Sequence, residues 1–399
     1  MFFIWLRPKR KPVTLNYSIL RTLFVSHAKS IETARDESPD LEVRIIKAIG
    51  VAGPRNVAQI SRMTGAHQET IRYKIKKRFG RLGFRFNAEV DFDKIGLSLH
   101  WAALDFTKGY YLVAPQILRA LNQVGYLTHY ANIVPQGNYV ALFALPEDTS
   151  DQYHEFLSGL VQKGILNAFT LDEVLVSRHK VMDPRFFNFR SGRWEIEWDK
   201  VAGLASTPLP LGKKPHAEDF DYYDLLVIKE LQRDSLQHLT GIAKKLKVHQ
   251  KTLEYHYRTH VQKWKLVPSY TIRWAQDTKK LVHSVAATVI TFRGLSRLEY
   301  AEVQAAISKI SFLWSENLLQ DGTYIAVLHI PVTDMIKTTS YINNALPNLS
   351  SKVTMGFMEP ANATSFTIPY SMYQDGRWKF DTRQMENSLR KESAASLKK

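Results

Sequence analysis

The chain repeats itself. "HQETIRYKIKKRF" begins at His67, and "HQKTLEYHYRTHV" begins at His249, 249 − 67 = 182 residues later. Two further markers follow in the same order. "GNYVALFALP" from Gly137 matches "GTYIAVLHIP" from Gly322 at an offset of 185, and "SGRWEIEWD" from Ser191 matches "DGRWKFD" from Asp375 at 184. A period this long, held this constant, marks two copies of one domain-sized unit and sets the architecture before any local pattern is read. The copies span roughly 40–199 and 223–381.

Each copy opens with helical patterning. In "DLEVRIIKAIG", Leu41, Ile45, Ala48 and Ile49 fall on one face. "NVAQISRMTG" follows, with Asn56 placed to cap a helix, Gln59 three residues on, and Thr64-Gly65 placed to stop it. The quoted stretch supplies a third helix whose buried stripe is Ile71, Ile75 and Phe79, or Leu253, Tyr257 and Val261 in the second copy. From Arg72 to Arg85 there are seven basic residues and no acidic one. A solvated helix usually mixes signs, so one-sided charge on the second of two short helices points to helix-turn-helix DNA binding. The Gly-broken "RFGRLGFRF" is then expected to form a wing hairpin.

The rest of each copy changes rhythm. Strand patterns at 99–106, in "YLTHYANIV", in "NYVALFALP" and in "NAFTLDEVLV" alternate with helical patterns at 112–124 and 150–163. That order is β-α-β-β-α-β, a ferredoxin-like domain, and "FFNFRSGRWEIEW" adds a hairpin. The expected fold class is therefore α+β, with two tandem copies of a winged helix-turn-helix followed by a ferredoxin-like domain and hairpin. The expected divisions are an N-terminal extension (1–39), first winged helix-turn-helix (40–90), first ferredoxin-like domain plus hairpin (91–199) and linker (200–222). The second winged helix-turn-helix (223–273), second ferredoxin-like domain plus hairpin (274–381) and a polar tail (382–399) complete the chain.

Composition narrows the function. Lys and Arg outnumber Asp and Glu, 54 to 38, giving a net charge of +16 and favouring a polyanionic partner. The absence of cysteine excludes disulfides, thiolate metal sites and cysteine nucleophiles. The apolar run Phe2–Leu6 is too short for a signal core, and no stretch has the roughly 20 apolar residues of a membrane span, so a cytoplasmic protein is expected.

"QISRMTGAHQETIRYKIKKRFGRLGFRFNAEVDFDKIGLSL", with Val90, Asp91, Lys94, Gly96 and Leu97 near its end, resembles the winged-helix region of the leucine-responsive (Lrp/AsnC) transcription regulators. The following β-α-β-β-α-β unit is similar to that family's effector-binding and dimerising domain. The resemblance implies a sequence-specific, double-stranded DNA-binding regulator acting as a covalent pseudo-dimer. Carried over by position, one recognition helix presents His67, Gln68, Thr70, Arg72, Tyr73 and Lys76, with Arg81 and Arg85 on the backbone. The other presents His249, Gln250, Lys251, Thr252, Tyr255 and His256, with Lys263 on the backbone. A small-molecule effector and further homo-oligomerisation through the ferredoxin-like domains are also implied. The sequence departs from the family in three ways. His replaces the usual Ser-type cap, Val140 or Ile325 stands where the family often has Asp, and the second copy lacks the Asp-Lys-Gly-Leu segment and carries Trp264.

No enzyme, cofactor or metal is expected on this reading. His256 and His260 have i,i+4 metal spacing, but no third ligand lies near them in sequence. "HEFLS" at His154 lacks the second His of a zinc protease motif, and neither a phosphate loop nor a Gly-x-Ser-x-Gly elbow is present. Two alternatives remain. Siroheme decarboxylases resemble Lrp/AsnC regulators, exist as fused two-unit chains, and place His and Arg in their sheet strands. Here His129 could serve, although no Arg accompanies it and the second copy has Trp314. A DNA-coating architectural protein is the other.

Overall fold

The computed structural model describes residues 39–180, 183–209, 217–273 and 285–396. The N-terminal extension expected at 1–39 lies, but for Pro39, outside the described residues. The first half begins with α1 (Pro39–Ala52), α2 (Val57–Thr64) and α3 (Gln68–Tyr73), the last continued by a π-helical turn over Lys74–Phe79. Asn56 caps α2 by accepting the Gln59 N–H, and Gly65 ends it in the left-handed region at φ 69°. Ile45, Ile49, Ile60, Ile71, Ile75 and Phe79 form the core of this trio. Next come β1 (Arg85–Glu89), β2 (Leu97–Phe106), α4 (Ala114–Val124), β3 (Leu127–Val134), β4 (Asn138–Pro146), α5 (Ser150–Gln162) and β5 (Leu166–His179). A two-strand hairpin, β6 (Phe187–Asn188) with β7 (Arg193–Trp194), and the short α6 (Trp198–Ala202) close the half.

The second half repeats this order. It holds α7 (Tyr222–Arg233), α8 (Leu239–Leu246), α9 (Gln250–Tyr255) with its π-turn His256–Gln262, and β8 (Ser269–Arg273). The sheet elements are β9 (Val285–Phe292), α10 (Arg297–Ser308), β10 (Leu313–Leu319), β11 (Tyr324–Pro331), α11 (Met335–Ala345) and β12 (Val353–Ser365). A hairpin of β13 (Tyr373–Gln374) and β14 (Arg377–Trp378) precedes α12 (Thr382–Ser396).

Three expectations are corrected. First, the two sheets are not separate ferredoxin-like domains: they close into one barrel ordered β10-β11-β9-β12-β3-β4-β2-β5. The long outer strands make the seams. β5 pairs with β2 as far as Glu173 and then with β10 from Val174 to His179. β12 pairs with β9 as far as Phe357 and then with β3. Closure satisfies edge N–H and C=O groups that two open sheets would leave exposed, so the edges a second copy could extend are used within the chain. Second, there is no wing hairpin. Phe84 and Phe86 are buried, and β1 pairs antiparallel with β8 of the other half, Phe86 opposite Ile272. Arg81 therefore precedes, and Arg85 opens, a ribbon shared by both halves. Third, the segment expected as a polar tail forms α12, which buries Met385 and Leu389.

The halves are also interlocked. Hairpin β6–β7 leaves its own sheet: Trp194 packs on Phe312 of the second half, and Trp198 beyond it donates to Asp334. Hairpin β13–β14 returns the exchange, with Trp378 donating to Ile95 O at 2.6 Å and packing on Tyr126. The two glycine-arginine-tryptophan motifs are thus braces across the halves. Inside the barrel, Trp101, Ala131, Val140, Val174, Val289, Ile325 and Val327 form one apolar cluster.

Candidate active site at one mouth of the barrel

The β1–β8 ribbon lies near the barrel end where His179 pairs with Ser315. Charged and aromatic side chains from both halves converge there. β3 contributes His129, β5 His179, β11 His329, β1 Glu89 and β8 Arg273. Trp314 sits at the bulge of β10, an irregularity of the kind that re-aims a side chain. Its ring stacks on His329 at 5.2 Å, meets His179 edge-on at 5.5 Å, and lies 5.0 Å from the Arg273 guanidinium. His179 Nδ1 is 2.8 Å from Glu89 Oε2, the Thr271 hydroxyl donates to Glu89 at 2.5 Å, and His129 Nδ1 is 3.0 Å from Ser365 Oγ.

The electrostatics separate these groups. Burial, with Arg273 and His179 nearby, lowers the His129 imidazole to about 4. Burial, Arg273 and His129 together lower His329 to about 3. Both are therefore neutral near pH 7 and keep a lone pair. Burial disfavours a charged Glu89, but His179, Thr271 and Arg273 outweigh it and hold the carboxyl below its usual range. One mouth thus holds two neutral imidazoles, a guanidinium, an imidazole–carboxylate pair and a flat indole.

His129 was legible in the sequence; Glu89, His179, Arg273 and His329 were missed. The repeat carried the signal in the places where its copies disagree. Glu89 and Arg273 each end the ribbon strand of their half, 273 − 89 = 184 apart. Trp314 follows His129 by 185, and His329 replaces Ala144 at the same offset. The site therefore lies where the halves meet, and a homodimer could not build it from unlike residues. The opposite end of the barrel holds a cavity of about 220 Å³ lined by Trp101, Val140, Asp172, Arg293, Asp321 and Ile325.

Most of the residues expected to read DNA lie elsewhere, on or beside the two helix trios, whereas Arg85 opens β1 of the ribbon, opposite Arg273. Thr70, Arg72, Tyr73, Lys76, Arg81 and Arg85 are exposed, as are Gln250, Lys251, Thr252, Tyr255 and Lys263. Arg72 is paired with Glu69 and also reaches Gln68. His67 and His249 each cap their helix through Nδ1, accepting the Glu69 and Lys251 N–H groups at 3.3 Å. Histidine here does the work of the Ser-type cap. His256 needs correction: it is 6% exposed and bonded to Asp224, so it does not face solvent as a base reader would.

No protein-family model and no curated protein matches the sequence. Among solved structures, the siroheme decarboxylase NirDL, in complex with an iron-uroporphyrin III analogue, is similar over 88% of this chain and 98% of its own, at 11% identity and a TM-score of 0.51. A second NirDL structure gives 10% identity and 0.50 over the same shares. B. subtilis LrpC (13% identity, TM-score 0.28) covers 35% of this chain and 95% of its own. A Pyrococcus furiosus transcriptional regulatory protein of the AsnC family (13%, 0.27) covers 34% and 87%. At these identities the likeness to NirDL is one of fold. It overturns the expectation of a non-enzyme, because the fold running through both halves is one that an enzyme has. Among the described residues no helix is long and apolar enough to cross a membrane.

Proposed function

We propose that the chain is a decarboxylase of the siroheme-decarboxylase type, acting on a carboxylate-bearing iron tetrapyrrole at the mouth holding His129, His329 and Arg273. The convergence of those residues with Trp314 and the His179–Glu89 pair carries this reading, and the whole-chain likeness to NirDL supports it. Arg273 offers a guanidinium to a substrate carboxylate, and Trp314 offers a flat apolar face to a macrocycle. The neutral imidazoles of His129 and His329 can ligate or hydrogen-bond the substrate without adding charge. Decarboxylation breaks the bond between the side-chain carbon and its carboxylate, releases CO2, and puts one proton on the carbon left behind. No electrons are exchanged with a partner. His179, hydrogen-bonded to an ionised Glu89, is the group best placed to hold and deliver that proton. Incubation of the purified chain with siroheme, followed by mass spectrometry, should show loss of one CO2 per converted side chain. Unchanged siroheme at every enzyme concentration would overturn the reading.

A second activity, duplex DNA binding, is favoured by the two exposed surfaces centred on Tyr73 and Tyr255, 58% and 55% exposed. A site engaging on the order of six phosphates should lose about 10³-fold in affinity between 50 and 200 mM salt. Fluorescence anisotropy on random and selected duplexes tests this, and tight binding that ignores salt would contradict it.

A further inference from the structure

The second helix trio contains a cluster that the barrel chemistry does not use. His256 and His260 stand one turn apart on the π-turn after α9, where the sequence offered no third ligand. The fold brings two. Asp221 and Asp224, at the start of α7, lie against both imidazoles, and one ligand atom from each of the four residues falls within 4.8 Å of the others. His256 Nδ1 is 3.0 Å from Asp224 Oδ1 and 3.5 Å from Asp221 Oδ1, and His260 Nδ1 is 2.9 Å from Asp224 Oδ2. Donors bound to one tetrahedral ion at 2.0–2.1 Å stand about 3.3 Å from one another, and three of the separations here, 2.9, 3.0 and 3.5 Å, are close to that spacing.

The first copy shows what the second has changed. At the repeat offset of 182, Asp224, His256 and His260 correspond to Glu42, Lys74 and Arg78. There the charge is settled internally: Lys74 Nζ sits 2.7 Å from Glu42 Oε1. In the second copy the acid is kept in the shorter form of Asp224, fully buried, while the ammonium is replaced by imidazole. The pocket is also firmly built. Trp264 stacks on His260 at 4.2 Å, and Tyr223 and Tyr255 pack on His256 at 5.3 and 5.5 Å.

We propose that Asp221, Asp224, His256 and His260 bind a divalent transition ion of the zinc type, a cation that takes the place Lys74 fills in the first copy. Two imidazole nitrogens with carboxylate oxygens suit zinc and its neighbours and do not suit magnesium or calcium. The ion would clasp the start of α7 to the turn after α9, and so fix the helix that carries Lys251, Thr252 and Tyr255.

The test uses the full chain, stripped with a chelator and titrated with Zn²⁺ alone, with metal content read after dialysis. The wild type should retain one equivalent at a Kd on the order of 1 μM or tighter, and Co²⁺ in its place should give visible d–d bands. His260→Ala should lose that equivalent and weaken binding by more than about 100-fold. His129→Ala, which alters the barrel mouth, should not. Asp221→Asn keeps a helix-capping side chain, so it should weaken the ion while leaving the circular dichroism spectrum unchanged even if the histidine variant misfolds. Failure of the wild type to retain zinc, or equal retention by wild type, His260→Ala and Asp221→Asn, would overturn the proposal.

Discussion

Arg178→Ala should be among the most damaging single changes at the barrel seams. Glu316 on β10 is fully buried, and its carboxylate accepts from Arg178 Nε at 2.8 Å, from Arg178 Nη2, from the Tyr324 hydroxyl at 2.8 Å and from Gln304 at 3.3 Å. Arg178 stands on β5 directly opposite Glu316 across the seam that joins the halves. Removing the guanidinium leaves a buried carboxylate with neutral donors only, which costs about 3–5 kcal/mol. The same guanidinium also donates to the Pro208 and Thr207 carbonyls. Those bonds are exposed, so water replaces them and they add little. Urea unfolding followed by tryptophan fluorescence gives the loss as the shift in midpoint multiplied by the slope. The double variant Arg178→Met/Glu316→Leu should recover part of it, limited by the Tyr324 hydroxyl that then lacks an acceptor. A loss below about 1 kcal/mol for Arg178→Ala would show that the seam is not held as described.

Stability should also depend on pH through the mouth histidines. The folded values of His129 and His329, about 4 and about 3, lie below the ordinary 6.5, so the unfolded chain takes up protons first as the pH falls. Stability present above pH 6.5 should decline by about 1.4 kcal/mol per pH unit for each histidine until its folded value is reached, and His329→Gln should flatten the slope between pH 6.5 and 4. Gly356→Ala should cost about 1–3 kcal/mol in the same unfolding assay, because an added Cβ would stand 2.4 Å from Ile133 Cγ2 at the β12–β3 seam. Tyr73→Ala with Tyr255→Ala should weaken duplex binding at least tenfold in anisotropy while leaving siroheme conversion unchanged, because neither ring is near the mouth cluster.

The elements were legible because local rules decide them. Asn56, Gly65 and the Ile71, Ile75, Phe79 stripe act within their own helix, and strand alternation placed β2, β3 and β4 to within two residues. The barrel was not legible, because closure depends on the far ends of β5 and β12, which change partner halfway along. The sequence pattern of β5 read as ten residues, 167–176, whereas the strand has 14. The wing failed for a related reason: Phe84 and Phe86 fit a hairpin or a shared ribbon equally well, and only tertiary packing chooses. Of the titratable residues at the mouth, only His129 was legible. Comparing the copies for likeness found the repeat, whereas comparing them for difference would have found His329 against Ala144 and Arg273 against Glu89. The braces Trp194 and Trp378 were seen as motifs, but their role required knowing that each hairpin crosses to the other half.

The most direct test of the central claim is an absorption titration of the full chain with siroheme under reducing conditions, for the wild type and for His129→Ala/His329→Ala. A single site built from unlike residues of both halves should bind one equivalent per chain, with a band shift lost in the double variant whose circular dichroism is unchanged. Two equivalents per chain, or a shift that survives the double substitution, would place the tetrapyrrole elsewhere and contradict the account.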